Sequence, residues 1–268
     1  MMLDQITHNA LRTSRRIRGA IQVQRLHLDG QAPAAVQRAL KRSIYGRPSA
    51  AERDWIRRIE LQRTALLGSN QPMADGRTIG RMTLSSKQAR WAYLLFRLVR
   101  ELQPQITLEL GSCVGISGSY LAAAMDLNNW GSLYTLEGTP ELVSQTRSTF
   151  ATLGLTHAEV IPGFFHDTLV PLLADFRFPV DLAFIDGHHE EQATLDYMDL
   201  ILARASREAV LVFDDIHYSA PMLRAWKTIE RDARFAVTVD LKSTSSLGIA
   251  VVSKSASQRN QRLALSYY

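Results

Sequence analysis

Two short segments rich in aspartate and histidine hold most of the chemistry open to this chain. One reads Phe184-Ile185-Asp186-Gly187-His188-His189, the other Val212-Phe213-Asp214-Asp215-Ile216-His217-Tyr218. Each begins in an apolar run of strand length. If those runs are adjacent parallel strands, Asp186, Asp214 and Asp215 converge at one sheet edge. Three such carboxylates repel one another, which raises their pKa values unless a cation neutralises them. Hard oxygen donors suit Mg²⁺, Ca²⁺ or Mn²⁺. His189, with His166 and His217 as fallbacks, offers a side chain type that ordinarily titrates near neutrality and can take a proton. Plainer readings stand beside these. Asp214 can cap a turn, Asp215 can face solvent, and His188 and His189 can simply bond backbone.

A second cluster lies earlier, at Glu109-Leu110-Gly111-Ser112-Cys113-Val114-Gly115-Ile116-Ser117. Gly111 and Gly115 permit a sharp turn and close approach of a ligand that a Cβ would block. The helix that follows offers free N–H groups at its start. The spacing is G-x-x-x-G. It is not the dinucleotide G-x-G-x-x-G, which disfavours a nicotinamide dehydrogenase, and it lacks the Lys-Ser/Thr of a phosphate loop. Further on, Leu136-Glu137-Gly138 closes another apolar run. An acid at that place can accept two hydrogen bonds from a ribose diol.

These residues need elements to position them. The pattern predicts strands at 106–110, 132–136, 158–161, 180–185 and 209–213, with helices at 117–125, 140–153, 190–204 and 221–231. Two late runs, 236–241 and 247–252, are joined too closely for a parallel crossover and predict a hairpin. The expectation is an α/β, doubly wound, mostly parallel seven-stranded sheet with an antiparallel closing hairpin. Such sheets bind ligands beyond the carboxyl ends of their strands. Ahead of them the spacing predicts helices at 11–28, 34–44 and 50–67, the last opened by a capping box at Ser49 and Glu52. A helix opened by Ser85-Ser86 buries Trp91, Leu94, Leu95, Leu98 and Val99. Trp91 and Trp226 read as core. The loop from Gly68 to Gly80 divides a basic helical extension, 1–80, from the main domain, 81–268.

Composition bounds the rest. The chain has 268 residues, 46% apolar and 21% charged, which excludes disorder and collagen-like repeats. A single cysteine, Cys113, excludes a disulfide framework and a cysteine-based zinc site. No apolar run suits a membrane span or a signal peptide, so a cytoplasmic protein is expected. The net charge of +5 conceals an asymmetry. Residues 1–100 carry 19 Lys/Arg against 6 Asp/Glu, and residues 101–268 carry 12 against 20. The basic region suits phosphates, anionic lipid or an acidic partner, or is simply solvated by arginine.

Taken together, Glu109-x-Gly111-x-x-x-Gly115, Glu137 and Asp186 resemble the class I S-adenosylmethionine-dependent methyltransferases, over residues 85–252 in order. The resemblance implies cofactor contacts from Glu109, Gly111, Ser112, Gly115 and Ser117, with Asp186 nearby. It further implies that Glu137 holds the ribose and that Gly163 and Phe164 flank the adenine. The acids resemble those of the metal-dependent, catechol-type O-methyltransferases. By that likeness Asp186, Asp214 and Asp215 hold a divalent cation, with Asp215 in place of that family's Asn. His189 stands where the family has a catalytic lysine, and Asp186 and His189 become the catalytic pair. The phrases around both acid segments also look like a less characterised bacterial branch of small-molecule methyltransferases.

The expected function is methyl transfer from S-adenosylmethionine to a small hydroxylated substrate, assisted by Mg²⁺ or a similar ion. Two alternatives remain. One is RNA methylation through the basic amino-terminal region, although no aromatic interleaving there suggests base stacking. The other is a non-catalytic cofactor-binding protein. Oligomeric state stays open, a homo-oligomer included. The amino-terminal helices are expected to cover the mouth and shape the substrate pocket.

Overall fold

Apolar runs alternating with amphipathic segments fold into an eight-stranded sheet with helices on both faces, in a computed structural model that describes residues 33–242 and 246–252 and the backbone of 261–266. The helix expected at 11–28 lies outside the described residues. The first helices are α1 (Ala34–Tyr45), α2 (Ala50–Leu67), α3 (Ile79–Thr83) and α4 (Ala89–Leu102). The α/β succession follows as β1 (Ile106–Leu110), α5 (Ile116–Asn128), β2 (Ser132–Glu137), α6 (Pro140–Leu153), β3 (Ala158–Pro162), α7 (Phe165–Asp175), β4 (Val180–Ile185), α8 (Glu191–Leu202), β5 (Ala205–Asp214) and α9 (Ala220–Ile229). The chain closes with β6 (Phe235–Lys242), β7 (Leu247–Val252) and β8 (Gln261–Ser266).

The sheet order is β3-β2-β1-β4-β5-β7-β6-β8. The first five strands are parallel, and β7 is antiparallel to both β5 and β6. This is the expected seven-stranded class I methyltransferase arrangement, hairpin included. An eighth strand, β8, adds in parallel to β6. α7 is also absent from the sequence reading, because Pro171 lies inside it and proline normally argues against a helix interior.

Side chains alternate across the strands and feed two cores. Leu133, Leu182, Phe184, Val210 and Val212 join one core with α4, α5 and α6. Leu110, Leu136, Ile185, Leu211 and Phe213 join the other with α7, α8 and α9. Val36, Leu40, Ile59 and Leu66 of α1 and α2 are buried in the first core beside Trp91, Leu94 and Leu98. Trp91 and Trp226 are both fully buried, as expected. The Ser49–Glu52 capping box starts α2 as predicted, with the Glu52 carboxylate accepting from Ser49 N at 2.8 Å. An ion-pair network then ties the helices together: buried Arg97 pairs with Glu52 and Glu101, and the exposed Arg38 and Arg42 also pair with Glu101.

The helix expected to open at Ser85-Ser86 starts three residues later, at Ala89. The intervening groups are engaged elsewhere. Ser86 Oγ donates to Thr83 O at 2.6 Å, and Lys87 points its ammonium toward the sheet.

Candidate functional site

Strand register builds the mouth. Leu110 of β1 is level with Leu136 of β2 and Ile185 of β4, and Ile185 is level with Phe213 of β5. The next residue in each strand or turn, Gly111, Glu137, Asp186 and Asp214, therefore lies on one row at the carboxyl edge. The strand order reverses between β1 and β4, which is where doubly wound sheets leave a crevice. A cavity of about 300 Å³ opens there, at the small end of ligand pockets. Its walls include Gly111, Glu137, Phe164, Asp186 and His189, with Met82 and Ser85 from the α3–α4 connection.

Gly111 is indispensable to this geometry. Its φ is +99°, and a Cβ there would stand 2.1 Å from the Asp186 carbonyl oxygen. Asp186 N donates to Leu110 O at 2.9 Å and Gly111 N to Leu136 O at 3.0 Å, which stitches the three strand ends together. Gly115, at φ +83°, begins α5 against Thr146 and Phe150. Between them Cys113 N donates to Glu137 Oε2 at 2.9 Å, and Thr139 N donates to Glu137 Oε1 at 2.9 Å. Each carboxylate oxygen of Glu137 keeps a further lone pair for a ligand. Gly163 N is bonded to Glu137 O at 2.9 Å, which brings the exposed ring of Phe164 beside the same wall.

Three of the expected cofactor contacts lie beneath this surface. Glu109 is fully buried and accepts from Thr135 Oγ1 at 2.6 Å. Burial pushes its pKa up to about 7, against hydrogen bonds from Ser117 and Thr135. Ser117 is also buried. Ser112 Oγ is paired with Thr146 Oγ1 at 3.0 Å. The side chains of Glu109, Ser112 and Ser117 brace the glycine turn from inside.

The acids meet as expected, but the cation beside them belongs to the protein. The Lys87 ammonium donates to Asp214 Oδ2, and both side chains are almost fully buried. The register that sets Ile185 level with Phe213 puts Asp186 beside Asp214 at the sheet edge. Burial and the neighbouring Asp186 carboxylate push Asp214 up to about 8. Burial also raises Asp186, and Asp215 is raised by burial and by Asp214. Burial pulls the Lys87 ammonium down, but Asp186, Asp214 and Asp215 more than offset it, so it stays charged. Among the described residues no group of three or more His, Cys, Asp or Glu is placed to hold a metal ion. The expected divalent-ion ligands Asp186, Asp214 and Asp215 thus have a competitor for the cation's place in Lys87. An ammonium already bonded to Asp214 repels a second cation from the same oxygens.

The two histidines differ. His188 Nδ1 is 2.5 Å from Tyr197 OH, and its ring stacks on Tyr197. His189 is freer: a third of its side chain is exposed, and Nε2 lies 3.7 Å from Asp186 Oδ1. Both adopt left-handed backbone, φ 65° and 45°, as do Cys113 and Asp215, each φ 51°. Non-glycine residues held there cost about 1–3 kcal/mol each and collect at functional sites. The fallback bases are otherwise occupied. His217 Nε2 is 3.0 Å from Asp240, and His166 is exposed beside Asp167.

Lys87 went unrecognised in the sequence because its partner is 127 residues away. Its one signal is faint: only Lys41 and Lys87 are lysines among the basic residues of the first hundred. Amino-terminal cover of the mouth is narrower than expected. Among the described residues, Met82 and Ser85 line it, while α1 and α2 face the first core.

Sheet order, glycine turn and mouth define a class I methyltransferase fold. Residues 108–216 match the methyltransferase domain family. Match and fold together liken the chain to the S-adenosylmethionine-dependent methyltransferases of class I. No curated protein sequence matches the chain. Among solved structures, the chain is similar to an O-methyltransferase from Bacillus cereus in complex with S-adenosylhomocysteine. Identity is 17%, TM-score 0.60, and coverage 80% of this chain and 96% of the other. The O-methyltransferase TomG from Streptomyces achromogenes, in complex with S-adenosylmethionine, is 19% identical with TM-score 0.55, covering 81% and 95%. The methyltransferase PaMTH1 of Podospora anserina is 16% identical with TM-score 0.58, covering 76% and 88%. At these identities the likeness is one of fold.

Proposed function

We propose that this chain transfers the methyl group of S-adenosylmethionine to a hydroxyl oxygen of a small molecule, with His189 as general base. The observation that carries this reading is a single cavity lined by Glu137 and Phe164 together with Asp186 and His189. The O-methyltransferases from Bacillus cereus and Streptomyces support the choice of oxygen.

Bound in the crevice, S-adenosylmethionine supplies a methyl group on a sulfonium that leaves without acid help. Glu137 accepts the ribose hydroxyls, its carboxylate already oriented by Cys113 N and Thr139 N. Gly111 and Gly163 let the ligand lie against backbone, and Phe164 offers an aromatic face for the adenine. His189 takes the proton of the acceptor hydroxyl at Nε2, and Asp186 steadies the imidazolium that forms. Positioning does the rest, since an in-line displacement chiefly needs aligned reactants. No step runs through a divalent ion, because the acids do not fit one.

An RNA substrate gains no specific support. It would rest on the basic first hundred residues, of which 1–32 lie outside the described residues. Several of the described arginines there are engaged in ion pairs within the protein.

Calorimetric titration of wild type and Glu137→Ala with S-adenosylmethionine tests the cofactor half. Binding by wild type weakened at least tenfold in the variant is expected, from the loss of charged hydrogen bonds. Folded wild-type protein that does not bind the cofactor would overturn the reading. Transfer of labelled methyl to a panel of phenols and vicinal diols, compared with RNA, then tests the acceptor.

A further inference from the structure

The cation of this mouth comes from a segment that the cofactor and acid signatures do not touch. Lys87 lies between α3 and α4, directly before the cap residue Gln88. Its mount is unusually complete. Arg63 Nη2 donates to Lys87 O at 2.7 Å, and Arg63 Nη1 donates to Ser86 Oγ at 2.6 Å. Arg63 is itself paired with Glu60 at 3.0 Å, and Glu60 accepts from Tyr120 OH of α5 at 2.9 Å. α2 and α5 thus hold the lysine backbone, and the side chain crosses to β5. Asp186 lines the cavity, whereas Lys87 does not.

An ammonium is a compact point charge with three donors. Here it sits among oxygen donors from two adjacent strand ends, the surroundings a hard cation would otherwise require. We propose that the Lys87 ammonium is a built-in replacement for a divalent cation, neutralising the Asp186–Asp214 pair and holding Asp186 at the cavity wall. Lys87 is then a positioning residue that acts through Asp186. The site works with its charge supplied from within the chain, and chelators have nothing to remove. Only the link to catalysis rests on the methyl-transfer reading; the exchange of lysine for metal is measured without turnover.

The experiment compares melting temperature in excess EDTA and in millimolar MgCl₂ or MnCl₂, for wild type, Lys87→Ala, Lys87→Arg and Lys87→Ala/Asp214→Asn. Wild type should melt alike in all three solutions. Lys87→Ala leaves buried carboxylates uncompensated and should melt about 10 °C lower in EDTA. It should recover several degrees in either metal, and that recovery should vanish in the double variant. Lys87→Arg keeps a cation and should show no metal response. Asp214→Asn is measured alongside: a metal-dependent rise in wild type that is absent from it would overturn the proposal even if no Lys87 variant folds. So would a folded Lys87→Ala that melts like wild type, or one that ignores both metals. A lysine with a merely structural role would not make its alanine variant metal-responsive. If cofactor binding fails while these shifts appear, the methyl-transfer reading falls and the cation inference stands.

Discussion

The two ends of the mouth are built on different principles. At the end proposed to take the cofactor, nearly everything is backbone conformation within a short stretch. Gly111 turns at φ +99°, Gly115 starts α5, and two N–H groups orient Glu137. At the acceptor end the parts are charged side chains brought from far apart, with Lys87 reaching across 127 residues to Asp214. Local turns form wherever their residues permit them. A buried charge cluster forms only after the sheet and the first helices have packed, because each ion loses its water and must be met by another. The cofactor end is thus a property of a segment, and the acceptor end a property of the whole fold.

Substitutions should respect that division. Gly111→Ala should break the cofactor end outright. The added methyl meets the Asp186 carbonyl, and strain of about 3 kcal/mol corresponds to roughly 100-fold weaker S-adenosylmethionine binding by calorimetry. Retained affinity would mean that the turn is not the ligand cradle. His189→Ala should do the reverse. Single-turnover methyl transfer should slow by about 100-fold or more while cofactor affinity stays within about twofold. A parallel loss of affinity would erase the distinction between the two ends.

The pH dependence of stability sharpens the comparison, because each end contains at least one acid held above its ordinary value. Glu109 rises from 4.5 to about 7 and Asp214 from 3.8 to about 8. In both cases the folded state binds the proton more tightly than the unfolded state. Each group therefore favours folding fully below its unfolded pKa and loses that contribution as pH rises through its folded pKa. Glu109→Gln should remove the part lost between about pH 4.5 and 7, roughly 3 kcal/mol. Melting temperature measured from pH 5 to 8 should then fall less steeply than in wild type. The decline that persists toward pH 8 belongs to the acid cluster of Asp186, Asp214 and Asp215. Identical slopes would show that Glu109 keeps its ordinary titration.

The smallest effect is expected from Arg63→Ala. It removes the bonds to Lys87 O and Ser86 Oγ, a loss of about 1–2 kcal/mol in stability by denaturant titration. Cofactor affinity should be unchanged. A cofactor defect there would indicate that the mount of Lys87 also supports the glycine turn.

Much of this molecule is legible without its structure. The strand ends at Leu110, Ile185 and Phe213 follow from mostly apolar runs halted by Gly111, Asp186 and Asp214. The hairpin follows from a connection too short for a crossover. The Ser49–Glu52 box works through groups three residues apart, so it reads directly. Misreadings occur where a distant contact overrides a local rule. Ser85-Ser86 resembles a helix start, yet Arg63 and Asp214 draw residues 86 and 87 out of the helix. Glu109 fits a cofactor-binding pattern, yet the row that faces the ligand begins one residue after Leu110, and Glu109 points beneath α5.

The sequence by itself determined the α/β order, the glycine turn, the acid closing β2 and the meeting of Asp186 with Asp214 and Asp215. All of these follow from periodicity and from residues close along the chain. Only the tertiary structure decided which cation answers those acids. Three carboxylates demand positive charge but do not specify its source, and a metal ion and a lysine satisfy the same Coulomb requirement. The choice was made by packing α2, α4 and α5 so that Arg63 anchors the Lys87 backbone at the distance its side chain can span.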